Sequence, residues 1–382
     1  MNYKKPNIFF YRLTQGLAWF IATFVFHRKF VRNEIKGKKG PFVVIANHQA
    51  KLDFTTLIGA TSRPMSIVVS NSFYQSMPIK KLLDYLGMIP KQQFQTTITD
   101  LKNAENLVNG STVRTLGYNT YNDGGGAFYK VRTVTNDDVE NDMDIIELYD
   151  NYLVAELLTD GKLNVKTFGA VGDGVFDNTD IIREAIAYCK RKNTSLYFPI
   201  GIYNVNGNYT IDFSLKIEGD HVGNWHYNTD NLSNSLLFAS VINDINDSED
   251  DPEYYLFNCD TNNKGCIEIN NLHIQGQNNT HSCINLVHAG WTFYSNNLTI
   301  DNYWYKAINT LTQYDSNIDN LTIERCGKGI YNTKPQYAIT LGRYNVTETN
   351  TNAIHINNLH MEFCRYYMNF DINQDISINN SI

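Results

Sequence analysis

Short segments in which apolar and polar residues alternate recur through the last third of the chain, and four of them share one pattern. Each has an asparagine, a leucine, a variable residue and a second apolar residue, and another apolar segment follows 9 to 12 residues later. Two strands per repeat predict coils that stack into parallel sheets, with asparagine ladders at the turns. Chance alignment in a chain rich in asparagine and isoleucine is the alternative. The repeat leucines are Leu272, Leu298, Leu321 and Leu359, and the second strands are marked by Ile284, Ile308, Ile330 and Met368.

The spacing of these leucines predicts the length of one coil. Consecutive leucines are 26, 23 and 38 residues apart. The first two spacings each equal one coil, and the third predicts a coil with an insertion near residues 345–352. Asn380 follows Asn358 by 22 residues, so the chain is predicted to stop inside a strand, without the polar cap that ends a solenoid.

Upstream of the repeats, residues 163–205 predict a strand, a turn, a helix and a second strand. Gly169, Gly172 and Gly174 are placed where positive φ would let the chain turn sharply. The oxygens of residues 177–179 are predicted to cap the helix. The apolar helix face is predicted to comprise Ile181, Ile182, Ala185, Ile186 and Tyr188.

The order FGAVGDGVFDNT, helix, LYFPIGIYNV resembles the opening of the pectate-lyase-like right-handed β-helix proteins, which include phage tailspikes and rhamnogalacturonase-type glycan enzymes. The resemblance implies that the helix caps the N-terminal end of a parallel solenoid. It also implies a polysaccharide partner, and many such solenoids trimerise along their length. A βαβ unit of an unrelated α/β domain is the alternative.

Residues 96–160 predict a small α+β module. The segments TVRTLGY and DGGGA resemble the module that commonly precedes the β-helix in phage tail proteins. The glycines at 124–126 are read as a turn, because no helix or Lys-Ser/Thr follows them as a phosphate loop requires. Residues 136–144 predict an acidic, solvated loop.

The first 95 residues have a different character. Residues 8–26 are mainly apolar and flanked by basic residues, which predicts a helix lying in a membrane interface, with a buried helix as the alternative. A predicted strand then ends at Asn47-His48, and Asp53 follows five residues later. A base with an orienting carboxylate is what activating a hydroxyl nucleophile requires.

This NHxxxxD spacing resembles the glycerolipid (1-acylglycerol-3-phosphate) acyltransferases, and residues 86–95 resemble the acceptor-binding second block of that family. The resemblance implies His48 as general base, Asp53 as its partner and acyl-CoA or acyl carrier protein as the acyl donor. Gln93 stands where many members have an arginine, which puts phosphate binding in doubt. The third block of the family is absent from the sequence, so we expect an incomplete α/β segment that is inactive alone.

The length, net charge and cysteine content of the chain favour some classes of function and argue against others. A chain of 382 residues favours two or three domains, and 42% hydrophobic residues suffice for a core. A net charge of -7 argues against a nucleic-acid partner. The six cysteines show no CxxC and no metal-ligand spacing, which indicates buried thiols in a reducing environment and predicts no metal site.

Candidate chemistry lies on the repeats, because the residue after the second apolar position is predicted to point outward. This column reads Gln275, Asp301, Glu324 and Glu362. Carboxylates on successive coils would lie about 4.8 Å apart, near the separation in retaining glycosidases, and on alternate coils near the inverting one. We therefore take Asp301, Glu324 and Glu362 as candidate catalytic residues, with a merely solvated acidic face as the alternative. A lyase would need a calcium cluster, and the sequence shows no convincing acidic triplet. Candidate sugar-binding residues nearby are Trp304, Asp319, Arg325 and Arg343.

These observations predict three parts: residues 1–95, an acyltransferase-like segment; 96–160, the small module; and 161–382, a right-handed parallel β-helix. The function expected is binding of a surface polysaccharide, with or without its cleavage, at a virion tail or cell surface. The alternatives are a glycerolipid acyltransferase at the cytoplasmic membrane face and a structural tail protein without a working site.

Overall fold

The computed structural model describes most of the chain from residue 93 onward and short segments before it. Its described residues include all four repeat leucines and the whole candidate column. His48, Asp53 and Arg343 lie outside the described residues. The described ranges are 7–20, 67–70, 88–91, 93–105, 107–220, 239–243, 254–262, 264–276, 281–288, 292–331, 333–342, 351–370 and 374–381.

The described part of residues 1–92 contains one helix and a pair of strands. The helix α1 spans Ile8–Phe20 and exposes several large apolar side chains. Within the described residues, no helix combines the length and the apolar character needed to cross a bilayer. The strands β1 (Ile67–Ser70) and β2 (Met88–Lys91) pair in parallel.

The module that follows is a five-stranded sheet with one short helix. The helix α2 (Ile98–Lys102) begins at a capping box formed by Thr97 and Asp100. The strands are β3 (Gln93–Gln95), β4 (Thr112–Thr115), β5 (Phe128–Thr133), β6 (Ile145–Glu147) and β7 (Leu153–Leu158). Their order in the sheet is β3-β4-β5-β7-β6. Gln93 lies in the edge strand β3 and pairs with Val113.

A helix covers the first coils of the solenoid, as the sequence predicted. This helix, α3, spans Thr179–Lys192 and buries most of its predicted apolar face. Asn178 is buried and donates from Nδ2 to the Val171 and Phe176 carbonyls instead of capping the helix. Gly169 and Gly174 have positive φ, as predicted. Gly172 does not, and the reason for a glycine there is a backbone approach: an added Cβ would lie 3.0 Å from the Gly201 Cα.

The solenoid has three parallel sheets, and apolar side chains from all of them form one core. Four long strands bend at an asparagine, so that each contributes its first part to the first sheet and its second part to the second. The first sheet contains β8 (Lys162–Asn164), β10 (Ser195–Phe198), β13 (Leu215–Gly219), the first parts of β16 (Cys266–Gly276), β18 (Thr292–Asp301), β20 (Ser316–Glu324) and β24 (Asn352–Glu362), and β26 (Gln374–Asn379). The second contains β9 (Asp173–Asp177), β11 (Gly201–Val205), β14 (Ala239–Asn243) and the second parts of the four long strands. The third contains β12 (Tyr209–Ile211), β15 (Tyr255–Cys259), β17 (Ser282–Val287), β19 (Ile308–Leu311), β23 (Ile339–Gly342) and β25 (Met368–Phe370).

The register of the coils confirms the predicted leucine alignment. Leu272, Leu298, Leu321 and Leu359 face one another on successive strands. The prediction of Ile330 as a third-sheet residue is wrong, because Ile339 pairs there with Ile308. Residues 330–331 (β21) instead form a small antiparallel hairpin with residues 334–335 (β22). Part of the insertion in the long coil therefore lies in this hairpin, earlier in the chain than predicted.

Asparagine ladders mark the bend between the first and second sheets. Asn271, Asn297, Asn320 and Asn358 all have φ between 51° and 54°, a left-handed conformation that asparagine tolerates better than most residues. The Asn297 Nδ2 donates to the Asn271 Oδ1 at 3.0 Å, and the Asn358 Nδ2 donates to the Asn320 Oδ1 at the same distance. The predicted ladders are thus confirmed, and they satisfy polar groups at each corner.

Ion pairs join the small module to the cap helix. Arg191 lies 3.2 Å from Asp144 and Lys192 lies 3.0 Å from Glu156. The prediction of a solvated loop at 136–144 is wrong for two of its carboxylates, because the side chains of Asp144 and Asp138 are both only 7% exposed. Both are withdrawn from water because they pair with arginines.

Candidate functional site

The predicted acidic column is present on the second sheet. Gln275 pairs with Asp301, Asp301 with Glu324, and Glu324 with Glu362, each on the next coil. Neighbouring core residues such as Ile300 and Ile323 are fully buried. Because successive side chains of a strand point to opposite faces, the column lies on the outer face of the sheet.

The column is not the solvated face that the sequence left as an alternative. Asp301 is 3% exposed and Glu324 only 1% exposed, whereas Glu362 is half-buried. Neither Glu324 oxygen accepts a hydrogen bond, and Asp301 Oδ1 accepts none. Removing a carboxylate from water without full compensation is costly, so this face is an unusual place for structural acids.

Arg325 links the buried acids of two coils. It follows Glu324 directly and has φ of 52°, so the chain turns there and its backbone N–H donates to the Glu362 carbonyl at 3.0 Å. The guanidinium donates to Asp301 Oδ2, and its Nη1 lies 3.3 Å from Glu324 Oε2. The arginine that the sequence proposed for sugar binding is therefore also the counter-ion of the column.

The pKa values of these acids follow from their surroundings. Burial raises the pKa of Glu324; the nearby Asp301 and Glu362 act in the same direction, and Arg325 opposes them. Burial also raises the pKa of Asp301, against the hydrogen bond and charge of Arg325. A buried carboxyl with a raised pKa beside a more exposed carboxylate is the usual arrangement of an acid and its ionised partner.

A second polar column, which sequence reasoning missed, runs beside the first. His273 pairs with Thr299, which pairs with Thr322, which pairs with His360. His273 is 1% exposed, and burial lowers its pKa to about 4, with the charge of Arg325 adding to the effect. The sequence could have revealed this second column, because histidine fills the variable position in two of the four repeats.

The two columns meet in one cluster of metal-ligand residues. His360 Nε2 lies 3.5 Å from Glu362 Oε2. Ligand atoms of Glu324, His360 and Glu362 all lie within 4.8 Å of one another. The prediction of no metal site rested on the spacing of the cysteines and did not include the histidines that neighbour the acidic column.

Two exposed aromatic residues lie close in sequence to the acids. Trp304 is 42% exposed and follows Asp301 by three residues, and Lys328 and Gly329 donate to its carbonyl at 2.9 and 2.8 Å. Phe363, next to Glu362, is 61% exposed. Gly329 leaves room for the rings of Tyr305 and Trp304, because an added Cβ there would clash first with the Tyr305 ring and would lie 2.8 Å from Trp304 Cδ1.

Two other predicted binding residues, Asp319 and Gln93, do not join this cluster. Asp319 lies on the first sheet, where its Oδ1 accepts from Asn357 at 2.8 Å. Gln93 lies in the sheet of the small module, and Arg343 lies outside the described residues. The site that the structure assembles thus consists of Asp301, Glu324, Arg325, His360 and Glu362.

Three parallel sheets wound into coils, with a helix over the first coils, define a right-handed parallel β-helix protein. The chain belongs to the rhamnogalacturonase A/epimerase, pectate lyase-like family, whose model matches residues 162–355, just over half of the chain. That range includes Asp301 and Glu324. No curated protein matches the chain.

Two solved structures are similar to the chain in fold. WceF of Pantoea stewartii, described as a glycan biofilm modifying enzyme with a bacteriophage tailspike-like parallel β-helix fold, has 16% identity and a TM-score of 0.51 over 76% of this chain. The tailspike gp49 of Acinetobacter baumannii bacteriophage Fri1, described as a capsular polysaccharide depolymerase, has 12% identity and a TM-score of 0.50 over 76%. The chain spans 42% of the first and 60% of the second.

Proposed function

We propose that the outer face of the second sheet binds a surface polysaccharide and hydrolyses it. The observation that carries this proposal is the pair formed by Glu324 and Glu362 on adjacent coils. One carboxyl is buried and the other half-exposed, and their ligand atoms lie within 4.8 Å. Glycosidases need two carboxyl groups in unlike surroundings on either side of the scissile bond.

The roles of the two acids follow from their burial. Glu324 is the general acid and gives its proton to the glycosidic oxygen as the bond to the anomeric carbon breaks. Glu362, the more exposed partner, attacks that carbon as a carboxylate. Water then releases the sugar, and Glu324 takes the proton from that water, so that one water is consumed per bond. The short separation of the carboxyls favours this retaining course over the inverting one, in which about 6.5–9.5 Å leaves room for a water.

The neighbouring residues suit substrate binding and positioning. Trp304 and Phe363 offer exposed rings that can pack against the faces of sugar rings. Arg325 spans Asp301 and Glu324, and we therefore propose that Asp301, the third predicted catalytic residue, holds the guanidinium. The described activities of the two similar structures, glycan modification and capsular depolymerisation, support a polysaccharide as the partner.

The test is release of reducing ends from a panel of capsular and pectic polysaccharides. We expect the full-length protein to cleave at least one, and Glu324→Gln and Glu362→Gln to lower the rate by at least 100-fold with unchanged circular dichroism. Glu184→Gln changes an exposed acid of the cap helix and is the matched control. Full activity in both column variants would remove the acids from the mechanism.

A non-enzymatic role is a separate outcome of the same panel. Retention of a polysaccharide on immobilised protein, without release of reducing ends from any member, would make the solenoid a binding or structural tail protein. Trimerisation along the solenoid stays a prediction, and sedimentation equilibrium of the full chain tests it.

A second candidate function concerns residues 1–95. We propose that this segment is a partial acyltransferase-like fold with His48 and Asp53 as its base and orienting acid, and that it lies at a membrane surface. The parallel pairing of β1 with β2 supports an α/β origin. The matched family model begins only at residue 162. We expect no acyl transfer from acyl-CoA to 1-acylglycerol-3-phosphate; turnover that His48→Ala abolishes would overturn that expectation.

A further inference from the structure

The cluster of Glu324, His360 and Glu362 offers three ligands of two chemical kinds. Their ligand atoms lie within 4.8 Å of one another, and His360 Nε2 lies 3.5 Å from Glu362 Oε2. Zinc bonds of about 2.0–2.2 Å to nitrogen and oxygen allow two such atoms to share one ion at that separation. An upper limit of 4.8 Å exceeds twice such a bond by about half an ångström, and the half-exposed Glu362 can make an adjustment of that size.

A buried oxygen points to a ligand independently of the cluster. Glu324 is 1% exposed, and its Oε1 accepts no hydrogen bond. Arg325 lies near Oε2, at 3.3 Å, and leaves Oε1 available. A buried carboxylate oxygen without a donor is satisfied well by a metal ion.

The charges at this face also favour a cation. Asp301, Glu324 and Glu362 bring three carboxyl groups together, and the guanidinium of Arg325 offsets one of them. The imidazole selects among cations, because Ca²⁺ and Mg²⁺ prefer oxygen ligands whereas imidazole suits Zn²⁺ and similar ions.

We infer that Glu324, His360 and Glu362 bind a divalent cation of the Zn²⁺ class, and that the bound ion blocks the acid pair. The binding part stands on the geometry alone, whereas the blocking part rests on the proposed hydrolysis. The ion occupies the oxygen of Glu324 that would carry the proton and the oxygen of Glu362 that would attack. Hydrolysis therefore requires the metal-free protein.

The first test is titration of the metal-free full-length protein with ZnCl₂, followed by calorimetry and by the melting temperature. We expect one ion per chain and a raised melting temperature, with no comparable effect of MgCl₂ or CaCl₂. His360→Ala should weaken Zn²⁺ binding by at least 10-fold. His355→Ala, which removes an exposed histidine of the same strand on the first sheet, is the matched control.

The outcomes separate this inference from the proposed hydrolysis. Absence of Zn²⁺ binding at 100 µM, or equal loss in His355→Ala, would overturn the cation site. If His360→Ala proves unfolded by circular dichroism, Glu362→Gln serves as the second ligand variant and should lose the same binding. Reducing-end release is then measured in a chelator and with added Zn²⁺. Release that Zn²⁺ leaves unchanged, with binding confirmed, would overturn only the blocking role, and no release from any glycan would count against the hydrolysis alone.

Discussion

The outer faces of the first and second sheets come from the same repeats, yet they hold their charged residues in opposite ways. On the first sheet, Lys216 Nζ lies 3.2 Å from Glu218 and 3.3 Å from Glu268, and all three residues are half-exposed. On the second sheet, Asp301 and Glu324 are buried and share Arg325. Exposed pairs contribute little to stability, whereas a broken buried pair leaves a costly charge. The difference therefore supports the proposal that the second face carries the functional site.

The largest expected effect comes from breaking the ion pair between Arg325 and Asp301 on the second sheet. Arg325→Ala leaves Asp301 buried without its counter-ion, and we expect the free energy of unfolding at pH 7 to fall by about 3–5 kcal/mol. Equilibrium urea unfolding measures the change. A second substitution, Asp301→Asn, should recover part of the loss because it removes the orphaned charge.

The control for Arg325→Ala is Arg365→Ala, an exposed arginine in the following coil. Its loss should change the free energy of unfolding by less than about 1 kcal/mol. Equal losses in the two variants would mean that the guanidinium of Arg325 is no more important to stability than a surface charge.

The next effect is a pH dependence due to His273. Its pKa in the folded protein is about 4, below the value of about 6.5 expected for the unfolded chain. Between these values the unfolded state binds a proton that the folded state excludes, so stability rises with pH from about 4 to 6.5 and is lost as pH falls. The full difference is about 3 kcal/mol. Urea unfolding across this range measures it.

His273→Gln should flatten that pH dependence, and His355→Gln on the first sheet should leave it unchanged. His355→Gln is a matched control for His273→Gln, because both variants remove a histidine from an outward position of the solenoid. If the free energy of unfolding of His273→Gln still rose with pH between about 4 and 6.5, other groups would be responsible for the pH dependence.

A smaller effect on stability is expected at the asparagine bend between the first and second sheets. Asn320 has φ of 54° and stands between Asn296 and Asn358 in the ladder, at 2.9 and 3.0 Å. Asn320→Ala loses these bonds and strains the left-handed backbone, which we expect to cost about 2 kcal/mol. Asn320→Gly loses the bonds but relieves the strain, so its cost should be about half. If Asn320→Ala and Asn320→Gly lost the same amount of stability in thermal or urea unfolding, the left-handed φ at this position would be unimportant for stability.

The sequence predicted the coil well and the site only in part, for a physical reason. Leucine spacing and period-two alternation give register, which is why the column at Asp301, Glu324 and Glu362 was predictable. Burial depends on what packs over a face, and the turn that brings Arg325 back across Asp301 depends on its left-handed φ. Neither the burial of the face nor the left-handed turn at Arg325 can be recognised from a short stretch of sequence. The error at Ile330 is of the same kind, because an inserted hairpin presents an isoleucine at the expected distance before Ile339 does.

The smallest expected effect comes from the exposed side of the comparison. Lys216→Met removes a lysine from between Glu218 and Glu268 but keeps an apolar side chain over the strand. We expect the free energy of unfolding to fall by less than about 1 kcal/mol at low salt. Raising the salt concentration should shrink this difference further, because the Debye length falls to about 3 Å at 1 M. The difference in Arg325→Ala should persist, since buried pairs are screened much less. Urea unfolding of both variants at two salt concentrations measures this contrast, and equal salt sensitivity would erase the distinction between the two faces.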